Sequence, residues 1–221
     1  MARIHNDETG TREQILSCAA RLFRTEGYAA VTLRGIAKAI GMTTGSLYYH
    51  FSSKEDIVRE ILDQGHKRVF SEVRGAIEAL GENAPCEAIL KAGIQKHIEC
   101  LLGEDSFPSA NTRIFAHVPV EVRAPTLGER HKYELYWTDI LKSCQKRGAI
   151  HPDINPHTLS LLLFGAMNWT LEWYKPGRHG IESIADNLVL LVLRGPKVGA
   201  RQDGERTPSK VRSVRSVAAK A

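Results

Sequence analysis

The sequence predicts an all-α chain, and three observations carry that reading. From Thr11 to Arg194 apolar residues recur at intervals of three and four, the period of an amphipathic helix. Hydroxyl residues stand where helices should begin, at Thr11, Thr32, Thr43 and Ser53, and glycines or prolines stand where they should end. No stretch of useful length alternates with period two, so no sheet is expected. With 221 residues, 43% of them apolar, the chain can bury the core of one or two domains.

The elements follow in order. After a polar arm, residues 1–10, Thr11-Arg-Glu-Gln14 has the form of a capping box, in which a hydroxyl and an amide satisfy each other's backbone N–H groups. Ile15, Ala19, Leu22 and Phe23 follow as an apolar stripe, stopped at Gly27. Thr32 caps a second helix with Leu33, Ile36, Ala37 and Ile40 inward, ended by Gly41, and Thr43 caps a very short third helix reaching about His50. Ser53 caps a long fourth helix with the stripe Ile57, Ile61, Leu62, Val69, Phe70, Val73 and Ile77. Beyond it, helices are expected over roughly 85–102, 109–118, 124–148, 156–175 and 180–194. From Gly195 the chain is Gly, Pro, Ser, Lys and Arg with few large apolar residues, which reads as a disordered basic tail, 195–221.

Composition excludes several classes. The run from Leu188 to Leu193 is the longest apolar stretch, far below the roughly 18–20 residues of a membrane span. Met1 to Gly10 has no apolar core of a secretory signal. Cys18, Cys86, Cys100 and Cys144 form no CxxC pair, so reduced thiols and a cytoplasmic location are expected, with no membrane partner. The net charge of +5 is uneven: residues 194–221 hold eight basic and two acidic side chains, and residues 1–193 hold 22 and 23. A case for nucleic acid must therefore rest on motifs rather than bulk charge.

Two short helices joined by Gly41-Met42-Thr43 have the form of a helix-turn-helix, Gly41 allowing a left-handed backbone and Thr43 recapping at once. Leu47 and Phe51 face inward, which spreads Thr44, Ser46, Tyr48, Tyr49 and His50 over the remaining surface. Small hydroxyls can enter a groove, while phenols and an imidazole can reach phosphates or thymine methyls. The run from Thr32 to Glu55, with the preceding Ile15, Ala19, Leu22, Phe23, Gly27 and Tyr28, resembles the DNA-binding domain of TetR-family transcriptional regulators. The resemblance implies an all-α homodimer. Its N-terminal three-helix DNA-binding domain, residues 11–56, would carry the helix-turn-helix. A C-terminal helical ligand-binding and dimerisation domain would span 57–194. It further implies that double-stranded operator DNA is met by Arg34, by Thr43, Thr44 and Ser46 at the start of the recognition helix, by Tyr48, Tyr49 and His50 on the groove wall, and by Lys54 at a phosphate.

The second informative stretch is 156–194. Leu159, Leu163 and Ala166 on one helix, and Ile184, Leu188, Leu191 and Val192 on the next, leave too much of the circumference apolar for one-sided packing. A two-fold four-helix interface between subunits would cover it; an ordinary buried hairpin is the alternative. The string from Gly165 to Gly177 resembles the penultimate helix of a TetR subgroup that answers to acyl-CoA thioesters, and Arg130, Tyr133, Trp137, Gly148, Ile150 and Asp153 fit the same subgroup. That resemblance implies a small-molecule effector, an acyl-CoA, met by Asn168, Trp169, Trp173 and Arg178. Indole faces can stack on an adenine or line an acyl tunnel, and they serve equally as interface anchors.

Other chemistries have less behind them. His97 and Cys100, one turn apart, could share a metal with His117 or Cys144, but nothing supplies the remaining ligands, and no metal or cofactor is expected. No nucleophile elbow, phosphate-binding glycine loop, HExxH or close carboxylate pair occurs, so no catalytic residue is assigned. The expectation is a regulator, as a repressor released from its operator by an effector, with a metal-responsive sensor and a helical enzyme as the alternatives.

Overall fold

The computed structural model describes residues 2–104 and 106–194, with side chains from Gly10 onward. Ten α-helices follow one another: α1 (Ala2–Ala30), α2 (Leu33–Ala39), α3 (Thr44–His50), α4 (Lys54–Glu78), α5 (Cys86–Leu102), α6 (Ser106–Ile114), α7 (Val120–Arg123), α8 (Leu127–Lys146), α9 (Pro156–Trp173) and α10 (Ile181–Arg194). Short 3₁₀ turns flank α7, and no strand occurs among the described residues. None of the described helices is long and apolar enough to cross a membrane. The basic tail, 195–221, lies outside the described residues.

The caps act where the sequence places them, with one exception. Thr32 accepts from the Gly35 N–H, Thr43 from Ser46 and Ser53 from Asp56, each at 3.1 Å. Residues 2–10, however, continue α1, so Thr11 lies inside the helix and does not begin it. The physical reason is cooperativity: once turns anchored by Ile15 and Leu16 exist, adding residues to the helix costs little. Gly27, at φ +80°, breaks the helical path as expected.

Two apolar cores result. The first joins Ile15, Ala19 and Phe23 of α1 with Ile36, Leu47, Phe51, Ile57 and Ile61, and it takes in Phe107, Ala110 and Ile114 of α6. The three-helix head therefore does not close on residues 11–56 alone: α6, from the far side of the chain, completes its core. Polar ties reinforce the junction, among them Arg12 with Glu60, Arg68 with Glu13, and Arg24 donating to the Gly103 carbonyl at 3.2 Å. The second core gathers Val73, Leu90, Ile94, Trp137, Leu141 and Met167 from α4, α5, α8 and α9, with Val189 of α10. Here α10 packs on α5, and α9 packs on both α8 and α5.

The crossing of α4 and α6 is the tightest joint between the two cores. Asn111 donates its side-chain amide to the Leu62 carbonyl at 3.1 Å, and the missing side chain of Gly65 makes room for α6. A Cβ at residue 65 would stand 2.7 Å from both Asn111 Cβ and the Phe107 carbonyl oxygen. Gly65→Ala should therefore lower stability by about 1–3 kcal/mol through overpacking. Differential scanning calorimetry would show this as a midpoint several degrees lower; an unchanged midpoint would mean the crossing yields without cost.

Candidate functional site

The head presents α3 outward. Its one fully inward residue is Leu47, followed by the buried Phe51 after its C-terminus. Tyr49 is 75% exposed and Tyr48 54%, which leaves most of both rings outside the protomer's core. His50 is half-buried and meets the Tyr49 ring edge-on at 5.3 Å. Thr44 is half-buried, while Ser46, Thr43 and Arg34 are exposed, Arg34 at the start of α2. Gly41 holds φ +71° in the turn, and the Met42 N–H closes it on the Ala37 carbonyl at 2.9 Å. Thr43 spends its oxygen on the α3 cap, leaving its hydroxyl proton free to donate.

Lys54 differs from the picture of a free phosphate-seeking lysine. Its Nζ donates to the Tyr28 carbonyl at 2.5 Å and lies 4.1 Å from the centre of the Tyr28 ring. The Tyr28 hydroxyl in turn donates to Glu55 at 3.3 Å. Partial burial lowers the Lys54 pKa, the neighbouring Glu55 opposing that shift. Lys54 thus pins the end of α1 to the start of α4, whatever else it touches.

A cavity of about 110 Å³, open to solvent on one side, lies in the body, walled by α4, α5, α6, α8 and α9. Gly65, His66 and Val69 form its α4 side; Pro108, Asn111 and Thr112 its α6 side, with Phe115 just beyond. His97 and Leu101 come from α5, Arg130, Tyr133 and Glu134 from α8, and Phe164 and Asn168 from α9. The Asn168 carbonyl accepts from the His97 Nε2–H at 3.1 Å, which leaves Nδ1 to accept from the Tyr133 hydroxyl at 2.8 Å. Arg130 donates to Glu134 at 2.9 Å and lies over the Phe115 ring at 4.5 Å. Arg130, Glu134 and Thr112 are half-buried and mark the side nearest solvent.

Of the four residues expected at an effector, the structure brings only Asn168 to this cavity. Trp169 is 64% exposed and Trp173 is also exposed, both on the outer side of α9, and Arg178 is exposed in the turn that follows. Neighbours in a helix point about 100° apart, so Asn168 inward and Trp169 outward is the consequence of 3.6 residues per turn. The residues expected at the subunit interface divide in the same way. Leu163 and Val192 are buried, at 4% and 7% exposure, inside the protomer's own core. Leu159, Ile184 and Leu188 are half-buried against that core, and Ala166 and Leu191 face outward. The outward apolar face of α9 and α10 holds Leu191 together with Leu161, Leu162, Trp169, Trp173 and Leu190. The cavity residues His66, Asn111 and Glu134 had no local signal, since three separate helices contribute them, and His97, picked out beside Cys100, meets Tyr133 and Asn168 instead. No group of three or more His, Cys, Asp or Glu suited to a metal occurs among the described residues.

A helix-turn-helix head whose core is completed by a helix lining a cavity in the body is the architecture of a ligand-responsive DNA-binding transcriptional regulator. The profile of bacterial regulatory proteins of the tetR family matches residues 15–61, and that of the tetracyclin repressor-like C-terminal domain matches residues 83–196. The chain belongs to the TetR family. The HTH-type transcriptional repressor KstR2 of Rhodococcus jostii (strain RHA1) is 29% identical to it over 190 residues, spanning 85% of this chain and 92% of that protein. KstR2 of Mycobacterium tuberculosis (strain ATCC 25618 / H37Rv) is 26% identical over 204 residues, spanning 88% and 97%. A crystal structure of AibR in complex with isovaleryl coenzyme A and operator DNA matches with a TM-score of 0.74 at 26% identity, covering 82% of this chain and 97% of that one.

The two cavity histidines make stability depend on pH. Burial lowers the His66 pKa to about 4, with the Arg130 charge adding to it against Asp63, Glu134 and Glu129; burial likewise lowers His97 to about 4 against its Asn168 bond. Between an ordinary value near 6.5 and about 4, the unfolded chain binds protons that the folded chain refuses. Stability is thus full above pH 6.5 and is lost as pH falls toward 4. Thermal midpoints should drop from pH 7.5 to 5, and less so in a His66→Leu variant; equal pH dependence in both proteins would contradict the buried neutral state of His66.

Proposed function

We propose that the protein is a transcriptional repressor that releases its operator when an acyl-CoA thioester enters the cavity. The observation that carries this reading is that α6 does two jobs: it forms one wall of the cavity and completes the core of the reading head. A ligand that separates α6 from α8 would carry with α6 the parts of α1 and α4 packed on it, and so tilt the head. Work of this kind, on DNA, belongs in the cytoplasm. KstR2 is named a repressor, and AibR was crystallised with an acyl-CoA and operator DNA, which supports extending both properties to this chain.

On DNA, Thr44, Ser46, Tyr48 and Tyr49 would meet the groove, with Thr43, His50, Arg34 and Lys54 toward its walls. The dimer would form through the outward face of α9 and α10, where Leu162 and Leu191 are 66% and 68% exposed. Trp169 and Trp173 then serve as interface anchors, the role tryptophan fills well because one end is apolar and the other can be wet.

The test begins with duplexes selected by the protein from a random-sequence pool, followed by fluorescence anisotropy. Addition of isovaleryl-CoA, or a longer acyl-CoA, should release the selected duplex, and coenzyme A alone should not. Failure of every thioester to release it would overturn the effector reading.

Two substitutions test the remaining assignments. Tyr49→Ala should weaken binding of the selected duplex by roughly tenfold, the worth of one lost hydrogen bond, with no change in thermal midpoint. Lys54→Ala should weaken binding and also lower the midpoint, because its Nζ braces the Tyr28 carbonyl. Leu191→Glu would place an unpaired carboxylate in the dimer face, costing on the order of 3–5 kcal/mol. Light scattering should then report monomers, and a dimer that persists would put the interface elsewhere.

A further inference from the structure

The cavity wall contains a polar atom that the fold leaves without a partner. His66, on α4, packs edge-on against Phe115, and its Nε2 is buried with no hydrogen bond. The other histidine of the wall, His97, has both ring nitrogens engaged, by Tyr133 and Asn168. An unpaired nitrogen in the interior has given up its bonds to water for nothing, and an apolar side chain would fill the same space without that cost. A group brought in from outside would remove the deficit.

The surroundings restrict what that group can be. The guanidinium of Arg130, which lines the cavity with His66, is already paired with Glu134 at 2.9 Å, and the nearby acids Asp63 and Glu129 are themselves paired with Lys67 and Lys132. A carboxylate placed at His66 would find the Arg130 charge already committed to Glu134, and Glu134 itself, in the same cavity wall, would oppose it. An uncharged oxygen meets no such opposition. A hydroxyl can donate to Nε2 in one tautomer of the neutral ring, and a carbonyl can accept from Nε2–H in the other. The volume of about 110 Å³ is room for about four water-sized groups, which suits a short chain and not a polycycle.

We infer that the portion of the effector entering the cavity is a short acyl chain carrying an uncharged oxygen, a hydroxyl or a keto group, which hydrogen-bonds His66 Nε2. This rests on the acyl-CoA reading above and narrows it to oxygenated acyl groups.

Butyryl-CoA, 3-hydroxybutyryl-CoA and acetoacetyl-CoA test it, since they share one carbon skeleton and differ only at the third carbon. Isothermal titration of the full-length protein should give Kd values roughly tenfold lower for the two oxygenated thioesters than for butyryl-CoA, the worth of one hydrogen bond. In His66→Leu that preference should vanish, while the thermal midpoint of the ligand-free variant equals or exceeds that of the wild type, because the unpaired nitrogen is gone. Butyryl-CoA binding the wild type as tightly as the oxygenated pair would overturn the inference and leave the acyl-CoA reading standing. A preference that survives in His66→Leu would overturn the role of His66. If none of the three binds, with coenzyme A alone as the reference, the inference falls, and release of the selected duplex by isovaleryl-CoA or longer thioesters decides the acyl-CoA reading separately. Should His66→Leu not fold, the wild-type series decides by itself.

Discussion

The structure turns on the contact between α4 and α6. There the two backbones approach so closely that residue 65 can carry no side chain, and the Asn111 amide closes the joint by donating to the Leu62 carbonyl. One end of α4 begins at the head, at Lys54, and its middle supplies the wall of the cavity at Gly65, His66 and Val69. Packed interiors have the density of organic crystals and do not deform smoothly, so a joint this tight transmits displacement instead of absorbing it. A wedge on the cavity side of α6 must be felt at Phe107, Ala110 and Ile114, which belong to the head's own core.

Two-fold symmetry converts that displacement into a change in DNA affinity. A dimer reading two half-sites needs its heads about 34–36 Å apart, or a multiple, because the groove returns to the same face at that interval. A ligand that favours another spacing must weaken DNA binding, and DNA must weaken ligand binding by the same coupling free energy. The ion pairs that hold the head to the body, Arg12 with Glu60 and Arg68 with Glu13, keep the head from rocking independently of α4. Without such ties a tilt of α6 would be lost in the junction.

What the sequence discloses follows from the range of each interaction. Helix caps act over three residues, so Thr32, Thr43 and Ser53 could be read directly, and the turn at Gly41 with them. Inward and outward faces within one helix were legible for α3, where Leu47 alone is buried. They were not for α9 and α10, whose apolar residues cover nearly every side; only the neighbours on α5 and α8 decide that Leu163 turns inward and Leu162 outward. The cavity was hidden for the same reason. Its wall is drawn from five helices separated by up to a hundred residues, and nothing near His66 in the chain announces Phe115 or Arg130. Asn168 could be picked out beside two tryptophans, but its partner His97 is 71 residues away.

The disposition of charge completes the argument for a paired reading head. Residues 1–53 hold six basic and four acidic side chains, too few for strong non-specific attraction. Several of the basic ones also serve the fold. Arg12 lies on Glu60 and over the Phe51 ring, and Arg24 binds the Gly103 carbonyl. Arg34 and Lys38 stand exposed on α2, where they can reach phosphate. Non-specific affinity scales with the number of phosphates neutralised, so a single head with so few available cations binds random duplex weakly. Discrimination must then come from groove contacts by α3 and from the two heads acting together, since the second engages at the high effective concentration set by the first. That dependence would make head spacing an efficient control point: a protein whose affinity rested on bulk charge would stay on DNA whatever its heads' separation, whereas, on the proposed mechanism, this one would lose its second half-site when α6 shifts.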